Sequence, residues 1–187
     1  MRLTTKAAPA VLALGMWAAL AAPARAQDEL PQGLFAAAAL GRVQYDYECR
    51  APADCDSAGA GMGKLGVGMR FGRWGLEAWW IDFGQAPYQP AAAEQRMRAV
   101  AVDLVWHFAP AANALLLLRA GLAAVEQQRT GDASDYRVLS PHFGLGLLVP
   151  LTSSAALELG WDITEGQAFQ PVSTRASAFS LGLRLGF

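Results

Sequence analysis

Three residues in the second half of the chain have the types from which a nucleophilic site is built: Ser140 and His142 in a Ser-Pro-His run, and Glu158 further along. A hydroxyl activated by an imidazole, itself oriented by a carboxylate, performs acyl transfer. Ser140 and His142 share a face if their segment is extended, whereas Glu158 reads as the partner of an arginine, so the set is incomplete as it stands. His107, the other histidine, has no companion acid in its motif and reads as structural. Other chemistries lack their motifs: there is no His-Glu metal motif and no dinucleotide fingerprint. The run GAGMGKLG (59 to 66) has the glycines and lysine of a phosphate loop, but no Ser or Thr follows Lys64 and no strand precedes the run. No catalytic residue, metal site or cofactor is expected.

A larger set of ionisable residues carries a different chemistry. Lys64, Arg70, Arg119 and Arg184 stand against Glu77, Asp103, Glu158 and Asp162, four of each sign, each inside an otherwise apolar segment. Charges held away from water persist only when paired, so these eight are expected to form an internal ion-pair network. Cys49 and Cys55, in CRAPADC, read as one local disulfide. A two-thiolate metal site is the alternative, but no histidine lies near to complete it.

The elements that must position these residues follow from the hydrophobic period. Phe179, Leu181, Leu183, Leu185 and Phe187 alternate with Ser180, Gly182, Arg184 and Gly186. The same period of two runs through Leu65 to Phe71, Val100 to Phe108, Phe143 to Val149 and Leu157 to Trp161. Segments near 34 to 46, 75 to 83 and 115 to 126 complete a set of eight, the first being the weakest because its four consecutive alanines also suit a helix. Strands of about 9 to 11 residues suffice to cross a bilayer when tilted. Short connections at 72 to 74, 109 to 113 and 150 to 154 alternate with long polar ones near 47 to 61, 84 to 95, 127 to 136 and 164 to 174. That describes an all-β, eight-stranded antiparallel up-and-down barrel crossing a membrane, with short turns periplasmic and long loops outside.

Composition agrees with that reading. Of 187 residues 53% are hydrophobic, yet downstream of residue 26 the longest uncharged stretch, Val138 to Leu157, contains two prolines and two glycines and suits no helical span. With 15 Lys+Arg against 16 Asp+Glu no basic excess points to nucleic acid. Residues 1 to 26 carry Arg2 and Lys6, an apolar run and Ala24-Arg25-Ala26, the three parts of a cleavable secretory signal. The expected domains are therefore a signal peptide, 1 to 26, and a barrel, 27 to 187. Export favours the disulfide, and the mature chain keeps 12 basic against 16 acidic residues.

Two features orient the faces. Glycine crowds the small-or-charged face, which suits the narrow interior of an eight-stranded barrel. Aromatic residues fall in two groups: Phe35, Phe71, Trp74, Trp106, Phe108 and Phe187 near the turns, and Tyr45, Trp80, Phe83, Trp161 and Phe179 near the loops. These are expected to form the two girdles at the membrane interfaces.

The signal, the eight alternating strands and a last strand AFSLGLRLGF ending in Phe187 resemble the small outer-membrane barrel family typified by the OmpA transmembrane domain. The likeness is greatest to members with a cysteine pair in the first surface loop. GLEAWWIDFGQA (75 to 86) is similar to that family's third strand, where Asp-Phe-Gly closes the strand, and HFGLGLLVPL (142 to 151) to its sixth. The resemblance implies residence in the outer membrane of a Gram-negative bacterium with both termini periplasmic. It implies contact with outer-membrane lipid and lipopolysaccharide, and biogenesis through periplasmic chaperones and the barrel assembly machinery, for which Phe187 would be the signal. The sequence stops there, so the family's cell-wall-binding domain is not expected. A monomer with a structural or surface-interaction role and no catalysis follows, its loops contacting an extracellular or host ligand. Loop 1, with Asp46, Glu48, Asp54 and Asp56, would contribute, and Arg98 would face lipid phosphates. The alternatives are a lipid A deacylase-like enzyme, whose His-x-Ser-Asn order this chain lacks, a narrow pore, or a ligand-binding barrel.

Overall fold

The computed structural model describes residues 32–47, 57–88, 93–111, 114–130, 136–168 and 172–187. They form eight strands: β1 Gly33–Tyr47, β2 Ala58–Phe71, β3 Trp74–Tyr88, β4 Ala93–Ala111, β5 Ala114–Arg129, β6 Tyr136–Pro150, β7 Ala155–Ala168 and β8 Val172–Gly186. Each strand pairs antiparallel with its sequence neighbours, and β1 pairs with β8 to close the barrel. No backbone edge is left, which is the condition for a sheet to cross lipid. Among the described residues no helix is long and apolar enough to span a membrane. The crossings are made by strands.

The alanine run 36–39 is strand, not helix, because its backbone is held on both sides: Ala38 faces Leu65 on β2 and Leu183 on β8. The strands also run 14 to 19 residues rather than 9 to 11. Pairing continues beyond the apolar belt into segments read as loops, as where Pro87 faces Glu94 and Tyr88 faces Ala93. Asp82-Phe83-Gly84 accordingly does not end β3. It forms a bulge between Asp82 and Gln85 in which Gly84 takes a φ of 74° and its N–H donates to Asp82 Oδ1 at 2.9 Å.

The strand ends Phe71 and Trp74, Ala111 and Ala114, and Pro150 and Ala155 lie at one end, the turn end, together with Gly33 and Phe187; Tyr47 and Ala58, Tyr88 and Ala93, Arg129 and Tyr136, and Ala168 and Val172 lie at the other, the loop end. Burial along the strands is inverted relative to a water-soluble barrel. Leu65, Leu104, Leu159, Leu181, Leu183 and Leu185 are each about half exposed, while Lys64, Glu77, Asp103 and Arg119 are 2% exposed or less. Leucines outside and charges inside make the outer wall a lipid-facing surface.

The aromatic girdles differ in part from expectation. Trp74, Phe71, Trp106 and Phe187 line the outer wall near the turn end, where Trp74 and Trp106 stack at 6.1 Å, and Trp80 and Phe179 line it near the loop end. Phe35, Tyr45 and Phe83 instead point into the barrel and are buried. Residue type misplaces these three because an aromatic serves a lumen as well as an interface, and only strand parity distinguishes the two. Glycine makes the room: a Cβ at Gly66 would meet the Trp79 ring at 2.4 Å, and one at Gly68 the Phe35 ring at 2.4 Å.

Candidate functional site

The barrel interior has two unlike halves. Toward the turn end, Glu77 on β3, Arg119 on β5, Glu158 on β7 and Arg184 on β8 close a ring of alternating charges. Arg119 Nε lies 2.7 Å from Glu77 Oε2 and its Nη2 2.5 Å from Glu158 Oε1; Arg184 Nη1 lies 2.9 Å from Glu77 Oε1 and its Nη2 2.7 Å from Glu158 Oε2. Each guanidinium thus touches both carboxylates, the planar, forked contact for which arginine is suited. The Trp79 indole N–H donates to Glu77 Oε2 at 2.9 Å.

A second chain of charges adjoins the ring. Lys64 Nζ on β2 sits 2.6 Å from Asp162 Oδ2 on β7, and Asp162 Oδ1 lies 3.9 Å from His142 Nε2 on β6. His142 Nδ1 contacts both oxygens of Asp103 on β4, at 2.8 and 3.0 Å. Arg70, nearest the turns, donates from Nε to the Gly72 carbonyl at 3.1 Å. Cations also pack on rings: Lys64 Nζ is 4.6 Å from the Trp79 centroid, and the Arg184 guanidinium 3.9 Å from that of Phe35. All eight charged residues picked out in the sequence therefore lie inside the barrel. His142, taken above only for a nucleophilic site, joins that set. A parity count over β6 puts its side chain inside, but nothing in the sequence names Asp103 as its partner.

Toward the loop end the lining changes to Val43, Tyr45, Met62, Trp79, Ile81, Phe83, Met97 and Val125, all buried in one apolar cluster. The Tyr45 hydroxyl donates to the Phe83 carbonyl at 3.0 Å. Lys64 on β2 meets Asp162 on β7 across the lumen, and the Tyr45 side chain on β1 reaches past β2 to the Phe83 carbonyl on β3. At the turn end a cavity of about 20 Å³ lies among Phe35, Arg70, His107, Leu148 and Arg184. It has room for roughly one water.

The nucleophilic set does not assemble. His142 is committed to Asp103, and Glu158 to Arg119 and Arg184. Ser140 and His142 are both buried in the lumen rather than on the lipid-facing wall where an acyl chain would be reached. His107 is buried beside Arg70 and the turn-end cavity. Among the described residues no group of three or more His, Cys, Asp or Glu is placed to hold a metal ion. Phe187 lies exposed at the turn end, its N–H donating to the Leu34 carbonyl at 2.9 Å. Cys49 and Cys55 lie outside the described residues.

No family model matches the sequence, and no curated protein matches it. Solved structures do. Neisserial surface protein A is similar at 16% identity over 83% of this chain and 98% of that one, with a TM-score of 0.65. The outer membrane protein OprG of Pseudomonas aeruginosa is similar at 11% identity over 84% and 98%, with a TM-score of 0.54. The N-terminal barrel domain of OprF from the same organism is similar at 15% identity over 82% and 98%, with a TM-score of 0.52. At these identities the likeness is one of fold: the chain shares the closed eight-stranded barrel of small outer-membrane proteins.

Proposed function

We propose that this chain is an integral protein of a Gram-negative outer membrane with a structural or surface-interaction role and no catalysis. The observation that carries the reading is the inversion of burial, with half-exposed leucines on the outer wall and a charge network within. Of the proteins that share the fold, OprG is named an outer membrane protein and the Neisserial one a surface protein, which supports that location. The turn end and both termini face the periplasm, which leaves the long polar connections outside the cell as the contact surface for an extracellular or host ligand. Residues 1 to 26 are a signal removed on export, Cys49 and Cys55 staple the first loop, and Phe187 is the residue read by the assembly machinery. The filled lumen favours a support for loops over a conduit, and the engagement of His142 with Asp103 and of Glu158 with Arg119 and Arg184 disfavours the deacylase-like enzyme.

Fractionation tests the reading. The protein is expected in the outer-membrane fraction and, unboiled, to migrate faster on SDS gels than after boiling. Recovery as a soluble periplasmic protein would overturn it.

A further inference from the structure

Two seams of the barrel stop short of its loop end. Among the described residues, β2 pairs with β3 only as far as Gly63 with Asp82, and β6 with β7 only as far as His142 with Thr164, whereas the neighbouring ladders continue upward. The first seam is closed by other contacts: the Tyr45 hydroxyl donates to the Phe83 carbonyl at 3.0 Å, and a Cβ at Gly84 would overlap the Gly61 carbonyl oxygen. The second ends at a proline. The Pro141 carbonyl faces β7, where the Thr164 hydroxyl donates to it at 3.1 Å. A strand residue turns its carbonyl and its N–H to the same neighbour, so Pro141 stands where a donor to Glu165 is needed and has no N–H to give. Counted by twos from Pro141, the N–H and C=O groups of Leu139 and Arg137 point the same way. On its other side β6 stays paired with β5 as far as Tyr136.

This edge stands in water. Leu145 pairs with Trp161, which is beside Phe179 of the loop-side girdle, and Leu139 lies about 20 Å further along β6. Arg137, Glu165 and Arg175 are exposed around it. Leu139 is nonetheless 66% exposed, a large apolar side chain on an unpaired edge, which isolated β-proteins avoid because it invites another strand. Behind the edge, Gln127 on β5 reaches past β6, so that a Cβ at Gly166 on β7 would overlap its Nε2. Gln127 is buried, and its Oε1 accepts no hydrogen bond. Backbone groups at strand spacing, backed by a buried acceptor, are what an added strand completes. A second copy in the same membrane does not fit there: rotated about the membrane normal, its β6 would cross this one at twice a strand tilt of roughly 40° and form no ladder.

We propose that the free edge of β6, from Arg137 to Leu139, binds an extended peptide segment of a partner protein by strand addition. The segment carries a carboxylate opposite Arg137 and an apolar residue two positions on, opposite Leu139, and its alternate residues turn a hydroxyl or amide donor toward Gln127 Oε1. Arg137 is available for this: its side chain is 77% exposed, and Glu126 lies no nearer than 3.5 Å. That the partner is extracellular rests on the orientation proposed above, with the loop end outside the cell.

The test uses the full barrel in phosphatidylcholine nanodiscs and a fluorescein-labelled peptide, Thr-Thr-Glu-Thr-Leu-Thr-Thr, followed by fluorescence anisotropy. Saturable binding of one peptide per barrel is expected, lost when the peptide is N-methylated at its Glu and Leu, the two amides that would face β6. Leu139→Pro removes one donor from the free edge alone, since that N–H points away from β5, and should weaken binding about fivefold. Pro141→Val supplies the missing N–H, lets β6 and β7 pair further, and should weaken binding at least as much while slowing hydrogen exchange at Leu139. Arg137→Glu should weaken it about threefold, and a peptide with Lys in place of Glu should bind that variant better than it binds the wild type. The gel shift on boiling checks that each variant is folded. Absence of saturable binding, equal binding by the N-methylated peptide, or wild-type binding by both Leu139→Pro and Pro141→Val would overturn the site. Orientation fails separately: nanodiscs expose both ends, whereas protection of Arg137→Cys from a membrane-impermeant label on intact cells would count against the loop end being outside and not against the edge.

Discussion

The two halves of the lumen do the same mechanical task, filling a tube, with opposite means. The loop-end half is a hydrophobic core turned inside a membrane protein: Ile81, Phe83, Met97 and Val125 pack without regard to partner identity. The turn-end half is specified pair by pair, since Arg119 and Arg184 each require both Glu77 and Glu158. Apolar packing tolerates exchange at constant volume, whereas a buried charge depends on particular atoms of particular residues. The ion pairs also join strands far apart in sequence, Lys64 to Asp162 across 98 positions, so they favour one closure of the barrel over its slipped registers.

The contrast breaks first at Glu77. Glu77→Ala leaves Arg119 and Arg184 each short of a carboxylate in a closed interior and should cost about 3–5 kcal/mol, the usual penalty for stranding a buried charge. Urea unfolding in lipid vesicles, followed by the gel shift, would measure it. A loss below about 1 kcal/mol would mean that water reaches the ring and that the halves differ less than their lining suggests.

The second test asks whether identity or volume holds the charged half. Lys64→Met alone strands Asp162 and should destabilise by a few kcal/mol, while Lys64→Met with Asp162→Leu should recover much of that loss, since replacing a buried pair by apolar residues is often close to neutral. If the double variant is as unstable as the single, the pair contributes more than its own neutralisation, through His142 3.9 Å away.

How these halves could be read from the sequence differs in the same way. Period-two alternation locates the strands, and parity alone puts Arg119 and Glu158 on the inner face. It does not pair them, because partners across a lumen depend on strand stagger, a property of closure that no local window contains. The apolar half was harder to see. Phe83 and Tyr45 look like girdle residues by type, and only parity turns them inward, Phe83 with Glu77 and Ile81 on β3 and Tyr45 with Val43 on β1. Gly59, Gly61 and Gly63 mislead for another reason: glycine in a barrel strand reads as luminal space, and on this stretch of β2 the glycines face outward.

The smallest expected effect sharpens the loop-end half. Ile81 is fully buried in the apolar cluster, and Ile81→Val removes one methylene with no polar partner to strand. The cost should be about 0.5–1.5 kcal/mol, in the range for that substitution in a water-soluble core. That range matters for the comparison. In a membrane barrel the unfolded reference lies partly in lipid or at its surface, so transfer from water contributes less than in a soluble protein, and what remains is the packing left unfilled around the missing methylene. A cost within the soluble range would show that the loop-end half is close-packed like an ordinary core and excludes water. A cost near zero would show a loosely filled mouth, leaving the charge ring at the turn end as the only tight closure of the lumen.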